Sequence, residues 1–149
     1  MKLFQIEEPD GSPSDPDAPG AAIGIDATGA QGEVAFAVGG NAVGLEDRDG
    51  FAIDLPVPAA GASTEYWRAF FEGARLRAER SVGRPVTHAV LVLGAAVEPV
   101  TLERITAAAE AAGLALLDVL SWKAAGTGEK PAFAAATLAE DLAPRPEST

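Results

Sequence analysis

At 149 residues the chain is the size of one domain, and with 48% apolar and 22% charged residues it can bury a proper core. Cysteine is absent, which excludes disulfides, thiolate metal sites and cysteine nucleophiles and accords with an expected cytoplasmic location. The formal charge of −11 repels phosphate backbones, so nucleic acid is not an expected partner, and no apolar run approaches the about 20 residues of a membrane span.

In chain order, the first segment, Met1-Lys2-Leu3-Phe4-Gln5-Ile6-Glu7-Glu8, has no extended apolar core of the signal-peptide kind. Residues 7–20 are acidic and proline-rich without a periodic apolar face, so residues 1–20 are expected to form a flexible leader. Ala21 to Ile25 reads as a short buried strand, and Glu33 to Val38 as a second, with Val34, Phe36 and Val38 alternating. Gly39-Gly40-Asn41 is turn chemistry, followed by a third strand over Val43 to Glu46 that resumes at Phe51 to Leu55 after Asp49-Gly50. Short loops between these strands predict an antiparallel meander.

The period then changes to that of a helix. Ser63 or Thr64 is the expected cap, Tyr66, Phe70 and Ala74 share one row, Trp67, Phe71 and Ala78 another, and Gly83 with Pro85 ends the segment. Arg68, Arg75, Arg77, Arg80 and Arg84 gather here, most simply as a solvated helix face. Ala89 to Leu93 is a continuous apolar run expected of a strand covered on both faces. A helix opening at Pro99 and Thr101 carries Leu102, Ile105 and Ala109 inward and closes at Gly113. Leu114 to Leu120 is a further strand and Pro131 to Leu142 an alanine-rich helix; residues 143–149 read as a flexible tail. The expected class is α/β, a single domain over residues 21–142 with a mixed sheet of about five strands in the order β-β-β-α-β-α-β-α.

This order resembles the ribonuclease H-like fold, and within it one lobe of the Hsp70 and actin ATPases. Ile23-Gly24-Ile25-Asp26-Ala27-Thr28-Gly29 is similar to that superfamily's first phosphate loop. Thr87 to Gly94 resembles the strand before its helix, and Thr101 to Leu120 the helix ending in Ala-Gly-Leu with the next strand. Ala124-Ala125 corresponds to its alanine run, so the resemblance covers roughly residues 21–126. It implies ATP or ADP with Mg²⁺ as ligands, Asp26 holding the metal through water, and Thr28 and Gly29 cradling phosphate.

The chain departs from the pattern in three ways. The resemblance extends over one lobe, Thr28 precedes Gly29 with Ala30-Gln31 following, and Ser121-Trp122-Lys123 replaces the Asn-Glu-Pro-Thr stretch. The expectation is therefore a non-catalytic lobe that needs no cofactor and acts through a protein partner or self-association. The first alternative is a nucleotide–Mg²⁺ binder completing its site across a dimer. The second is a metal-dependent nuclease drawing on Asp26, Asp54, Glu98, Asp118 and Asp141. For Asp26 itself the plainer role is to cap its own turn. His88 is the only histidine, which excludes a multi-histidine metal site. Gly126-Thr127-Gly128-Glu129-Lys130 places Glu129 where a phosphate loop needs glycine, so it reads as a plain loop.

Overall fold

The computed structural model describes residues 21–45, 55–122 and 130–143. Its elements are β1 (Ala21–Ala27), β2 (Glu33–Val38), β3 (Asn41–Gly44), α1 (Thr64–Val82), β4 (Val86–Leu93), α2 (Pro99–Ala111), β5 (Ala115–Ser121) and α3 (Pro131–Leu142). They form one five-stranded mixed sheet in the order β3-β2-β1-β4-β5. The first three strands are antiparallel, and β1, β4 and β5 run parallel. The α/β class and the element order are those expected from the sequence.

β1 is buried along all seven residues because helices cover both faces of the sheet at its centre. On one face Ile23, Ile25, Val34 and Leu91 pack against Trp67, Phe70, Phe71 and Ala74 of α1 and Ile105 and Ala109 of α2. Trp67, Phe70 and Phe71 form a triangle with centroids 5.6–5.8 Å apart. Two of its three pairs are edge-on, the arrangement that ring quadrupoles favour.

Among the described residues the other face is covered by α3, through Ala132, Ala135, Ala136 and Ala139. This small-residue face lets the helix settle directly onto the strand. A Cβ at Gly24 would lie 2.3 Å from the Ala136 backbone nitrogen and 2.6 Å from the Ala132 carbonyl oxygen. Gly24, grouped in sequence with the phosphate-loop motif, is thus the seat of α3. Ala132 and Ala136 sit over Gly24 while Ala139 packs with Ala22, so α3 runs antiparallel to β1. Its N-terminus faces the Asp26 end of the sheet. At the other end, Glu140 accepts hydrogen bonds from the Gly39 and Gly40 amides at 2.6 and 2.9 Å.

Several local expectations shift. β3 starts at Asn41, two residues early, because Gly39 and Gly40 at φ 62° and 86° complete the reversal alone and Asn41 pairs with Val38. Ser63 holds the N-cap position of α1, but through backbone geometry without a side-chain bond. Tyr66 is 68% exposed although it shares a row with buried Phe70. β5 begins after Leu114, whose N–H bonds the Ala109 carbonyl in a helix-ending motif that buries the leucine. Arg75 leaves the solvated arginine face. Its Nε donates to the Ala112 carbonyl at 2.8 Å and it pairs with Glu79, which in turn accepts the Val86 amide. The leader, Glu46, Phe51 to Asp54, Lys123 to Glu129 and residues 144–149 lie outside the described residues.

Candidate functional site

Two places stand out, at different parts of the domain. The first is the C-terminal end of β1. Asp26 is 7% exposed and is the one buried charged or polar residue among the described residues. A buried carboxylate has to be satisfied by donors, and here both come from its own turn. Thr28 donates its backbone N–H at 2.8 Å and its hydroxyl at 2.6 Å, both to Asp26 Oδ1. Gly94, at the end of β4, closes in beside this turn, its Cβ position 3.4 Å from the Thr28 carbonyl oxygen.

This geometry bears on the phosphate-loop expectation. The Thr28 amide, which would have to point outward at a phosphate, points back at Asp26. Gly29 adjoins open space. Glu33 is the cross-strand partner of Asp26 and exposed. The nuclease carboxylates are dispersed: Glu98 is exposed at the start of α2, Asp118 is exposed on β5 and binds the Val119 amide, and Asp141 lies in the last turn of α3. Asp141 is thereby at the opposite end of the sheet from Asp26, and Asp54 lies outside the described residues. Among the described residues no group of three or more histidines, cysteines, aspartates or glutamates could hold a metal. His88 shares a hydrogen bond with the Thr87 hydroxyl at 2.8 Å, next to the start of β4.

The second place is a cleft of about 550 Å³ between α1 and the segment Leu55 to Ala62. That volume falls in the range of small-ligand and peptide sites. The segment is held in place by backbone: Gly32 N–H bonds the Leu55 carbonyl at 2.7 Å, and Val57 N–H bonds the Ala30 carbonyl at 3.0 Å. The buried Trp67 anchors its far end by donating Nε1–H to the Ala59 carbonyl at 3.1 Å. The α1 wall is a stripe of Tyr66, Ala69, Phe70, Gly73, Leu76, Arg77 and Arg80, spaced as one helix face. It is apolar for most of its length and cationic at its C-terminal end. Tyr66 and Leu76, 68% and 47% exposed, project at its rim.

The sequence pattern placed Tyr66 and Phe70 in a core row and Arg77 and Arg80 on a charged face, and so missed the cleft. The signal was present in the proline-spaced run Leu55-Pro56-Val57-Pro58, since proline has no N–H to donate to a further strand. No helix among the described residues is long and apolar enough to cross a membrane. No protein-family model matches the chain, and no curated protein matches it at a significant level.

Proposed function

We propose that this chain is a non-catalytic, ribonuclease H-like lobe of the Hsp70/actin kind that works as a protein-interaction module, with the α1 cleft as its binding face. The observation that carries the reading is the contrast between the two places. The β1 end offers one buried carboxylate whose Oδ1 is taken by Thr28, whereas the α1 side offers an apolar cleft rimmed by exposed Tyr66 and Leu76. Apolar surface left open on a small domain is a recurrent mark of docking sites. The meander followed by βα units supports the lobe reading, since the same order carried the resemblance.

A second reading, nucleotide with Mg²⁺ bound at Asp26, Thr28 and Gly29, is favoured by the burial of Asp26 at the end of a central strand. Mg²⁺ is commonly held through one or two carboxylates and several waters, which Asp26 with Glu33 could supply only if Glu33 turned inward. The turned-in Thr28 amide weighs against phosphate binding. Calorimetric titration of ATP and ADP, with and without Mg²⁺, into wild-type and Asp26→Ala protein separates the two. The module reading expects no saturable heat from any of them. Micromolar binding lost in Asp26→Ala would replace it with the nucleotide reading.

A further inference from the structure

The outer edge of β5 is a contact surface separate from the α1 cleft. We infer that this edge fits a second copy of the chain, β5 against β5 across a twofold axis, and that Asp118 holds it shut by occupying the Val119 amide. Withdrawing that carboxylate opens the sheet to extension.

Comparison with the other edges singles β5 out. Among the described residues the sheet ends at β3 on one side and at β5 on the other. An open edge offers a row of backbone donors and acceptors to any strand that meets it, and folds blunt it by shortness, proline, charge or a bulge. β3 has only four residues. At the isolated Gln31–Pro56 bridge, Leu55 and Val57 turn toward Gly32 and Ala30, which leaves Pro56 turned away and without an N–H. β5 has seven residues and no proline, and its Leu117, Val119 and Leu120 are half-buried.

The register gives the direction of its backbone groups. The Trp122 N–H donates to the Leu93 carbonyl at 2.8 Å, so Trp122 faces β4. Backbone groups alternate along a strand, so Leu120 and Asp118 face β4 as well, while Val119 and Ser121 face outward. Ahead of this stretch β4 steps from Ala89 to Val90 while β5 steps from Leu116 to Asp118, so Leu117 bulges and regular pairing resumes at Asp118. The outward Val119 N–H is taken at 2.8 Å by Oδ1 of Asp118, an exposed side chain.

The stretch after the bulge is self-complementary. With Leu120 on the twofold axis, Val119 of one copy lies opposite Ser121 of the other, and each such pair can exchange both backbone hydrogen bonds. The two Leu120 side chains then meet as a close cross-strand pair, which carries the apolar cluster of Leu117, Val90 and Val92 from one copy into the next. With Asp118 in place, its carboxylate oxygen stands where the Ser121 carbonyl of the second copy has to accept. Acceptor meets acceptor, and the symmetry repeats the conflict.

Sedimentation equilibrium of the full chain in high salt, which screens the −11 charge of each copy, tests this. Asp118→Ala is expected to self-associate at least about tenfold more tightly than wild type, through the two donors that it frees per dimer. Glu65→Ala removes the same charge from an exposed site on α1 and should behave as wild type. An Asp118→Ala protein that stays monomeric at millimolar concentration overturns the inference. So does a wild type or Glu65→Ala protein that dimerises as readily. Because the chain lacks cysteine, Leu120→Cys reports the register. In the Asp118→Ala background it should form disulfide-linked dimers faster than with Asp118 present, and equal rates overturn the twofold pairing. The unaltered protein supplies a check that needs no variant. After correction for intrinsic rates, hydrogen exchange at the Val119 amide should be severalfold slower than at the outward Ser121 amide, and equal rates overturn the role of Asp118.

Discussion

Gly24→Ala adds one methyl group where α3 rests on β1, and the structure gives its consequence a size. The new Cβ would lie 2.3, 2.6 and 2.7 Å from backbone atoms of Ala136, Ala132 and Ala135, whereas ordinary contact begins near 3.4 Å. No flexible side chain is available to swing aside, so α3 has to rise by roughly 1 Å. A gap of that width forfeits between a quarter and a half of each pairwise dispersion contact, here along the buried face of Ala132, Ala135, Ala136 and Ala139. Overpacking of this kind costs about 1–3 kcal/mol, and the lifted helix adds to it. Replacing glycine recovers at most about 1 kcal/mol through the unfolded chain. The expected net loss is about 2–4 kcal/mol, read as a fall in the urea midpoint followed by far-UV circular dichroism and tryptophan fluorescence. Gly29→Ala, with nothing within 4 Å of its Cβ position, is the matched control and should stay within about 0.5 kcal/mol of wild type. A Gly24→Ala protein as stable as that control would refute the close seating of α3 on β1.

Other perturbations have equally definite outcomes. Trp67→Ala removes one corner of the aromatic triangle and frees the Ala59 carbonyl, so a loss of about 3–5 kcal/mol is expected in the same urea assay. Glu140→Gln weakens two charge-assisted bonds to the β2–β3 turn at a partly exposed site. It should cost about 1 kcal/mol and speed hydrogen exchange at the Gly39 and Gly40 amides. Arg75→Ala removes the donor to the Ala112 carbonyl and releases Glu79, for an expected loss of about 1–2 kcal/mol that Arg75→Lys does not fully restore. Asp26→Ala orphans the Thr28 amide and should cost about 1–2 kcal/mol, whereas Asp26→Asn, which keeps an acceptor oxygen, should cost less. Thermal midpoints of the two variants would check that order.

Much of the architecture was legible because it rests on local pattern. The continuous apolar run Ala89 to Leu93 marks β4 as covered on both faces, and the Pro131 start of α3 gives its boundary directly. What pattern cannot carry is the distance between elements. Gly24 reads equally as a phosphate-loop residue or as a helix seat until α3 is placed over it. Tyr66 and Phe70 share a helical row and both line the cleft, yet one is exposed at its rim and the other is buried, because only tertiary packing decides where segment 55–62 lies. Arg75 looks like one of five solvated arginines until α2 brings the Ala112 carbonyl to it. For Asp26 the sequence offered a metal ligand and a turn cap. The two Thr28 bonds describe the cap, and the metal role stays a proposal for titration.

The most direct measurement is a titration of Mg²⁺–ATP into the ¹⁵N-labelled full chain, following backbone amides by NMR. The account predicts that the signals of Ala27, Thr28, Gly29 and Gly94 stay in place at millimolar nucleotide, because the turn is closed on Asp26. Saturable, Mg²⁺-dependent shifts at those four amides, abolished by Asp26→Ala, would contradict it and make the β1 end the functional site.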